Sequence, residues 1–332
     1  MQRTTKTRSW LYAAALTTPL LLTGCNPRVS IELPGAAVYP EGIAIDADGD
    51  IYVGSFGDGT IFRVDPHPHH GGVDVLTSEA LTRGAVGMTV DEAHGVLLVC
   101  DSSALDPVSS DLVAIDLDTG DVVAKHPVPP AAEGVPVFCN DVVIDGGTVY
   151  LTDSFGGGIL QLPAEAVLVD GTPATGWSYD PDLLAPGDPP FGANGIAVWQ
   201  GELFVVNFAQ GTLLHATRDP NGAALDVVPV PLTDADGNPI ALVGPDGIAA
   251  SSDGDLLVVE NGIFAGGDGN RLRAVSLQGG VGQVVTVAED FDVPTTVAQG
   301  EHRLWVVEGQ LDHLFGLDPA PPSPFVITGV LR

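Results

Sequence analysis

The sequence predicts an all-β fold, a six-bladed β-propeller of four-stranded antiparallel blades, and three observations support this prediction. A segment made of an apolar strand, a polar turn and a second apolar strand recurs six times, at intervals of 45 to 54 residues. Two further β-type segments follow most copies. Helical periodicity is almost absent from the chain. Units of about 50 residues with four strands each are typical of propeller blades.

The first two strands of each unit, A and B, determine where the candidate site lies. The first copy begins YPEGIAIDADGDIYVGSF and the fifth GPDGIAASSDGDLLVVEN. Strand A is innermost in a propeller, so the residues that start it converge at one mouth of the central channel. The loops between B and the next strand share this mouth. The third residues of the six copies are Glu41, Val86, Asn140, Asn194, Asp246 and Thr295.

The outer strands, C and D, complete each unit. We predict strand C at TIFRVD, DLVAIDL, GILQLP, TLLHAT, RLRAVSL and HLFGLD, and strand D at segments such as DVVAKHPV and GQVVTVAE. The ring can close through VSIEL near the N-terminus or through FVITGVL at the C-terminus, and the spacing fits both.

The N-terminal segment is typical of an export signal. A basic start is followed by a short apolar run and by LLTGC, which ends at Cys25 and resembles a bacterial lipobox. We therefore predict a lipoprotein signal peptide over 1–24, a tether over 25–38 and the propeller over 39–332. Cys25 would be lipidated and would anchor the exported protein in the cell envelope. The alternative is an ordinary signal peptide with a chance cysteine.

Composition limits the possible partners. The chain has 12 basic and 43 acidic residues, a net charge of −31, so its surface repels nucleic acid and anionic membranes. We expect a monomer with a small-molecule substrate, no nucleic-acid partner, and membrane contact only through the lipid. Cys100 and Cys139 can form a disulfide in an exported protein or remain as two buried thiols.

Four of the six converging residues carry side-chain oxygens suited to a metal ion. Glu41 and Asp246 offer carboxylates, and Asn140 and Asn194 offer amide carbonyls. An oxygen-only set suits a hard cation, Ca²⁺ or another divalent ion, rather than zinc or copper. Facing carboxylates would repel each other strongly, and a divalent cation removes that repulsion.

The pairs EG, ND, NG and DG at the starts of blades one, three, four and five resemble the senescence-marker-protein/gluconolactonase family of six-bladed propellers. They also resemble the calcium-dependent diisopropylfluorophosphatase pattern, and the resemblance spans about Glu41 to Pro319. It implies that Glu41, Asn194 and Asp246 ligate a divalent metal. It implies that Asn140 is a fourth ligand or a substrate contact, and that Asp246 is also a general base or nucleophile. The family hydrolyses lactones, and its relatives hydrolyse phosphotriesters.

One position departs from the family pattern. Members that bind sugar lactones carry an arginine two residues before the blade-three asparagine, and this chain has Phe138 there. A substrate less polar than a sugar acid is therefore expected. Phe138, Phe155 and Phe208 are predicted to line its pocket, with Phe56 and Phe264 in equivalent loops. Alternatively, these loop phenylalanines cover blade edges.

Three further residues are candidates for supporting roles. Asp153 and Glu260 end strand B in blades that supply anchors, so they can support the metal ligands from behind, or they can cap loop amides. His313 starts the predicted strand C of blade six and can shuttle protons at the mouth.

The sequence thus predicts a calcium-dependent hydrolase of the lactonase or esterase type, acting on a small ester or lactone that is not a sugar acid. The alternative is a non-catalytic propeller of the cell envelope that binds a partner or glycan and keeps the channel metal for structure. One fold hosts many activities, so the pattern of strands alone does not separate the two.

Overall fold

A computed structural model describes residues 28–66, 72–77, 81, 83–105, 107–187, 189–266 and 268–332. The predicted signal peptide and the lipidation residue Cys25 lie outside these ranges. Within them, no helix has the length and apolar character needed to cross a membrane.

Strands of the described chain form six sheets, which are the six predicted blades. The chain begins with β1 (Val29–Glu32). Blade one then comprises β2 (Pro40–Ile45), β3 (Ile51–Ser55), β4 (Ile61–Val64) and β5 (Val73–Val75). Blade two comprises β6 (Ala85–Asp91), β7 (Val96–Asp101), β8 (Ser110–Asp116) and β9 (Val122–Val128). Blade three comprises β10 (Cys139–Asp145), β11 (Thr148–Asp153), β12 (Gly158–Pro163) and β13 (Thr175–Tyr179).

The second half of the ring repeats this order. Blade four comprises β14 (Ala193–Trp199), β15 (Glu202–Asn207), β16 (Thr212–Arg218) and β17 (Ala224–Pro229). Blade five comprises β18 (Leu232–Thr233), β19 (Pro245–Ala250), β20 (Leu256–Glu260), β21 (Arg271–Gln278) and β22 (Val281–Ala288), with β18 added in parallel outside β22. Blade six contains β23 (Pro294–Gln299), β24 (Arg303–Glu308) and β25 (Val326–Leu331).

Both ends of the chain close the ring. Strand β25 is the third strand of blade six, and β1 pairs with it as the fourth, with Val29 opposite Gly329. The two closure options that the spacing left open are therefore both used. The predicted tether over 25–38 needs correction, because residues 29–32 of it form a strand of the propeller.

The predicted strand C of blade six is wrong. The segment HLFGLD contains the end of a one-turn helix, α1 (Leu311–Leu314), followed by a turn and a proline-rich stretch. Strand β25 takes the place of strand C because it pairs along its full length with β24. Two short 3-10 helices, Ala164–Ala166 and Pro181–Leu183, are the other helical turns among the described residues.

The hydrophobic core lies between neighbouring blades. Six clusters of buried side chains fill the six interfaces; the one between blades six and one, for example, joins Val53 and Phe62 to Val307 and Ile327. The strand next to the innermost one is buried along almost its whole length, as in β7 and β20, because it is covered on both faces by adjacent blades.

Cys100 and Cys139 form a disulfide, with their α-carbons 5.3 Å apart. The sequence left open a disulfide or two buried thiols, and the structure has the disulfide. Because Cys100 lies near the end of β7 and Cys139 starts β10, the bond joins blade two to blade three beside the mouth of the channel.

Candidate functional site

A β-bulge at the start of every innermost strand gives the site its geometry. In all six blades the pairing of strands A and B shifts register at the anchor, for example between Cys139 and Val142 or between Pro245 and Ile248. A bulge bends its strand and turns a side chain out of the regular alternation. Each anchor is therefore directed toward the channel axis by the same local irregularity.

Five of the six anchors line one pocket at the mouth: Glu41, Val86, Asn140, Asn194 and Asp246. The sixth, Thr295, is fully buried, and its hydroxyl donates to the Glu41 carbonyl oxygen at 2.8 Å. The predicted convergence is thus present. The blade-six residue supports the backbone of its neighbour, while the four oxygen-bearing anchors share the floor of the pocket.

Glycines behind the anchors let the inner strands approach closely. A Cβ at Gly42 would lie 2.0 Å from the carbonyl oxygen of Val86, and one at Gly87 would lie 2.4 Å from Oδ1 of Asp141. Neither contact is sterically possible. The same holds at Gly195 and Gly247, so the EG, VG, NG and DG pairs all combine an anchor with a residue that must be small.

Glu41 has a buried oxygen without a partner. Its side chain is 8% exposed, and Oε2 makes no hydrogen bond. Burial raises the pKa of Glu41 well above its usual range, and the charges of Asp246 and then Asp141 raise it further. A buried, unsatisfied carboxylate oxygen is costly, so this atom is the part of the site most in need of a cation.

Asp246 is oriented by two amides. The Asn261 side-chain NH₂ donates to Asp246 Oδ2 at 2.8 Å, and Asn194 also hydrogen-bonds to this carboxylate. Burial raises the pKa of Asp246 to about 7, although both hydrogen bonds lower it. The two carboxylates of the floor therefore differ: Asp246 is held by amides, whereas Glu41 Oε2 has none.

Asp141 is a third buried carboxylate, placed just behind the floor. It accepts hydrogen bonds from the backbone N–H of Val142 at 2.8 Å and of Ile196 at 3.0 Å, which ties blade three to blade four. Burial raises its pKa to about 7. Its negative charge acts on both Glu41 and Asp246.

Aromatic side chains form the wall above this floor. The phenylalanine wall consists of Phe56, Phe138, Phe191, Phe208, Phe264 and Phe315. Its rings form a continuous series in which neighbouring centroids lie 5.7 to 6.5 Å apart. The pocket has a cavity volume of about 50 Å³, more than the roughly 10–15 Å³ that one water needs.

The predicted pocket residues fall into two groups. Phe138 and Phe208 line the pocket, and so do Phe56 and Phe264. Phe155 packs behind the wall, with its ring 5.3 Å from that of Phe138 and 5.2 Å from that of Phe191. It supports the wall instead of lining the cavity.

Asp153 and Glu260 hold loops near the mouth. Asp153 accepts from the backbone N–H of Phe138 at 2.9 Å, and burial raises the pKa of its carboxyl. Glu260 accepts from the N–H of Val243 at 2.8 Å and pairs with two arginines, Arg271 and Arg273. Each carboxylate thus binds the segment that leads into the inner strand of its own blade.

His313 lies beside the mouth without lining the pocket. It belongs to α1, whose Leu311 and Phe315 face the cavity. One imidazole nitrogen of His313 and one carboxylate oxygen from each of Asp312 and Asp318 lie within 4.8 Å of one another. His313 is thus close to the mouth but is not among the residues that line the pocket, and its role as a proton shuttle stays a prediction.

Sequence reasoning missed several residues of this site, among them three apolar residues of the wall, Ala104, Ile263 and Leu311. Phe191 lies in the connection before the fourth copy, and Phe315 lies in HLFGLD, which was predicted to be strand C of blade six. Asn261 directly follows strand B, and no sequence pattern predicts that a residue there would hydrogen-bond to Asp246. Asp141 did have a signal, because it stands where blades one, two, four and five all have glycine.

Comparisons with known proteins agree on the fold. A family model described as "Strictosidine synthase-like, N-terminal" matches residues 30–64. No curated protein matches the chain. A solved gluconolactonase from Xanthomonas campestris is 16% identical, with a TM-score of 0.59 over 91% of this chain and 89% of its own.

Two other solved structures are similar to the same extent. A luciferin-regenerating enzyme has a TM-score of 0.62 at 14% identity, over 92% of this chain and 96% of its own. An aldose sugar dehydrogenase from Streptomyces coelicolor has a TM-score of 0.57 at 18% identity, over 92% and 99%. Identities this low establish the fold and leave the reaction open. The chain is a six-bladed propeller of the architecture found in gluconolactonases, as the resemblance in its sequence predicted.

Proposed function

We propose that the protein is a hydrolase that uses a divalent cation, Ca²⁺ by preference, to cleave a small ester or lactone that is not a sugar acid. The observation that carries the proposal is the unpartnered Oε2 of Glu41, buried beside Asp246 at the floor of an apolar pocket. Such a pair of carboxylates at the base of a concave apolar site is typical of a metal-assisted active site.

The donor set fits a hard cation. Glu41 and Asp246 would hold the ion with carboxylate oxygens, and Asn140 and Asn194 with amide oxygens. The ion would supply Lewis acidity, polarising the carbonyl oxygen of the substrate. It would also offset the two effects that raise the pKa of Glu41, its burial and, after that, the repulsion from Asp246.

Asp246 is the better candidate for base or nucleophile. Its orientation is set by hydrogen bonds from Asn261 and Asn194, and it lines the pocket. Glu41, which has no such amide support at Oε2, would serve as a ligand.

The phenylalanine wall keeps water away from the reacting carbonyl. Exclusion of water strengthens the electrostatic interactions of the floor with a developing oxyanion. We further propose that the protein is exported and anchored through Cys25, which would place the reaction at the cell envelope.

The test is an assay of the purified protein on phenyl acetate, δ-valerolactone and a phosphotriester, with Ca²⁺ or with a chelator. We expect turnover that the chelator abolishes and that Asp246→Asn removes. Asp253→Asn, an exposed aspartate in the same blade, is the matched control and should retain activity.

A different result would favour the non-catalytic alternative. If Ca²⁺ raises the melting temperature but none of the three substrates is cleaved, the ion is a structural component and the propeller binds a partner or glycan. If turnover survives both the chelator and Asp246→Asn, another residue of the mouth performs the chemistry.

A further inference from the structure

The walls of the pocket contain no group that recognises an anion or a sugar. None of the described residues that line it is Lys, Arg or His. Above the floor the lining is the phenylalanine wall with Ala104, Ile263 and Leu311. A hydroxyl or carboxylate group placed there would lose its hydration without gaining a hydrogen bond, which is strongly unfavourable.

The amide nearest to the wall is already engaged. Asn261 is fully buried; its NH₂ donates to Asp246, and its carbonyl oxygen accepts from the N–H of Ile263 at 3.0 Å. Two of its four hydrogen-bonding positions are therefore used, and because the residue is only 2% exposed, a sugar hydroxyl has little access to the other two. The other polar side chains that line the pocket, those of Glu41, Asn140, Asn194 and Asp246, all belong to its floor.

The charge of the floor disfavours anionic substrates as well. Glu41, Asp246 and Asp141 provide three carboxylates close together. A divalent cation offsets two of these charges, so a substrate that carries its own carboxylate would enter a region with residual negative charge. In a cavity of low dielectric constant this repulsion is much stronger than in water.

We propose that the pocket selects uncharged esters or lactones that carry an apolar aromatic or alkyl group, and that it rejects carboxylate-bearing substrates and polyhydroxylated sugar lactones. The reacting carbonyl lies at the floor, and the apolar group lies against the phenylalanine wall. The inference rests on the proposed function only for the placement of the reacting carbonyl at the floor. The selectivity is argued separately, from the apolar phenylalanine wall and from the negative charge at the floor.

Two matched pairs of substrates test the inference in the full-length protein with Ca²⁺. Phenyl acetate and 4-acetoxybenzoate differ by one carboxylate, and δ-valerolactone and glucono-δ-lactone differ by their polar substituents. We expect kcat/KM to be about 100-fold higher or more for the neutral, apolar member of each pair, since buried unpaired polar groups produce discrimination of this size or larger. Equal rates within the pairs, or a preference for the charged or sugar member, would overturn it.

A variant at the rim tests the cause. Phe264 lines the pocket and is 47% exposed, so Phe264→Arg introduces a cation at the mouth without disturbing the core. We expect the rate on 4-acetoxybenzoate, relative to phenyl acetate, to rise about tenfold, as one charge-assisted contact would give. Leu225→Arg adds the same charge on the outer strand β17, where Leu225 is 62% exposed, and should leave the ratio unchanged. A ratio that moves equally in both variants would show that net charge, and not the wall, sets the preference.

Binding distinguishes failure of this inference from failure of the proposed function. If no substrate is turned over, the hydrolase proposal fails, and calorimetry with the ketones acetophenone and 4-acetylbenzoate then decides the selectivity. Tighter binding of acetophenone, lost in Phe208→Asp, supports the inference. Equal binding of the two ketones, or tighter binding of 4-acetylbenzoate, overturns it.

Discussion

Asp246→Asn should stabilise the metal-free protein at pH 8, although it removes the group on which the proposed reaction depends. Asp246 is 6% exposed, and burial raises its pKa from 3.8 to about 7. A carboxyl group whose pKa is raised by folding is protonated in both states below its unfolded pKa, and there it does not change the free energy of unfolding. Above its folded pKa it is ionised in both states, and its burial as a charge then lowers the free energy of unfolding. The metal-free protein therefore loses stability as the pH rises from about 4 to about 7.

The size of the effect follows from the two pKa values. Each pH unit between them corresponds to about 1.4 kcal/mol, so the interval from 3.8 to about 7 gives about 4 kcal/mol. Asparagine has the same shape and no charge, and it can still accept the hydrogen bond from Asn261. The variant should thus recover up to about 4 kcal/mol in the free energy of unfolding at pH 8, and almost none at pH 4.

Chemical denaturation in chelator at pH 4, 6 and 8 measures this difference, with Asp253→Asn as the exposed control. Adding Ca²⁺ at about 100 times its Kd should stabilise the wild type by about 2.7 kcal/mol and the variant by much less. Metal-free stability that stays constant from pH 4 to 8, or an Asp246→Asn variant less stable than wild type at pH 8, would refute the reasoning.

Three further predictions concern the residues around the floor. Replacing Cys100 and Cys139 by serine should lower the free energy of unfolding by about 4 kcal/mol, since the bridge closes a loop of 39 residues; an unchanged denaturation midpoint would contradict this. Glu260→Gln weakens the pairing of two partly buried arginines and should cost about 3 kcal/mol in the same measurement, and a cost below 1 kcal/mol would show the pairing to be unimportant. Asn261→Ala removes a hydrogen bond to Asp246 and should lower kcat about tenfold with little change in KM; a change confined to KM would place Asn261 in substrate binding instead.

Much of the fold could be predicted because each blade repeats the same local pattern. Alternation and turn residues are local signals, and six copies in register made the positions of strands A and B unambiguous. Closure of the ring depends on contacts between Val29 and Gly329, which are 300 residues apart, and no local pattern determines such a pairing. The segment at His313 looked like a strand for the same reason: its short apolar alternation fits a strand as well as one helical turn.

The site was predictable where it belongs to the repeat and not where it departs from it. The anchors stand at equivalent positions, so their convergence followed from the geometry of a propeller. Phe191 comes from a connection between blades, Phe315 from a segment that was predicted as a strand and instead follows a helical turn, and Asn261 is identified only by its contact with Asp246. Asp141 shows that an exception within a repeat is itself informative. Its side chain occupies the space beside Gly87 of the neighbouring blade, where a Cβ would lie 2.4 Å from Asp141 Oδ1.

Two of the six anchors place no side-chain oxygen in the lining of the pocket, and this bears on whether an ion at this site would be catalytic or structural. Ca²⁺ takes about six to eight oxygen ligands, and Glu41, Asn140, Asn194 and Asp246 supply side chains from four blades. In blade two Val86 is apolar, and in blade six the Thr295 hydroxyl is bound to a backbone carbonyl. Unless both carboxylates bind with two oxygens each, some positions around the ion would be left for a water or a substrate oxygen. They would open into the cavity beneath the phenylalanine wall, which is the arrangement a catalytic ion needs, whereas a structural ion is normally enclosed by protein ligands. We infer that the asymmetry of the ring, with four anchors that place a side-chain oxygen in the pocket and two that do not, favours the hydrolase over the structural alternative.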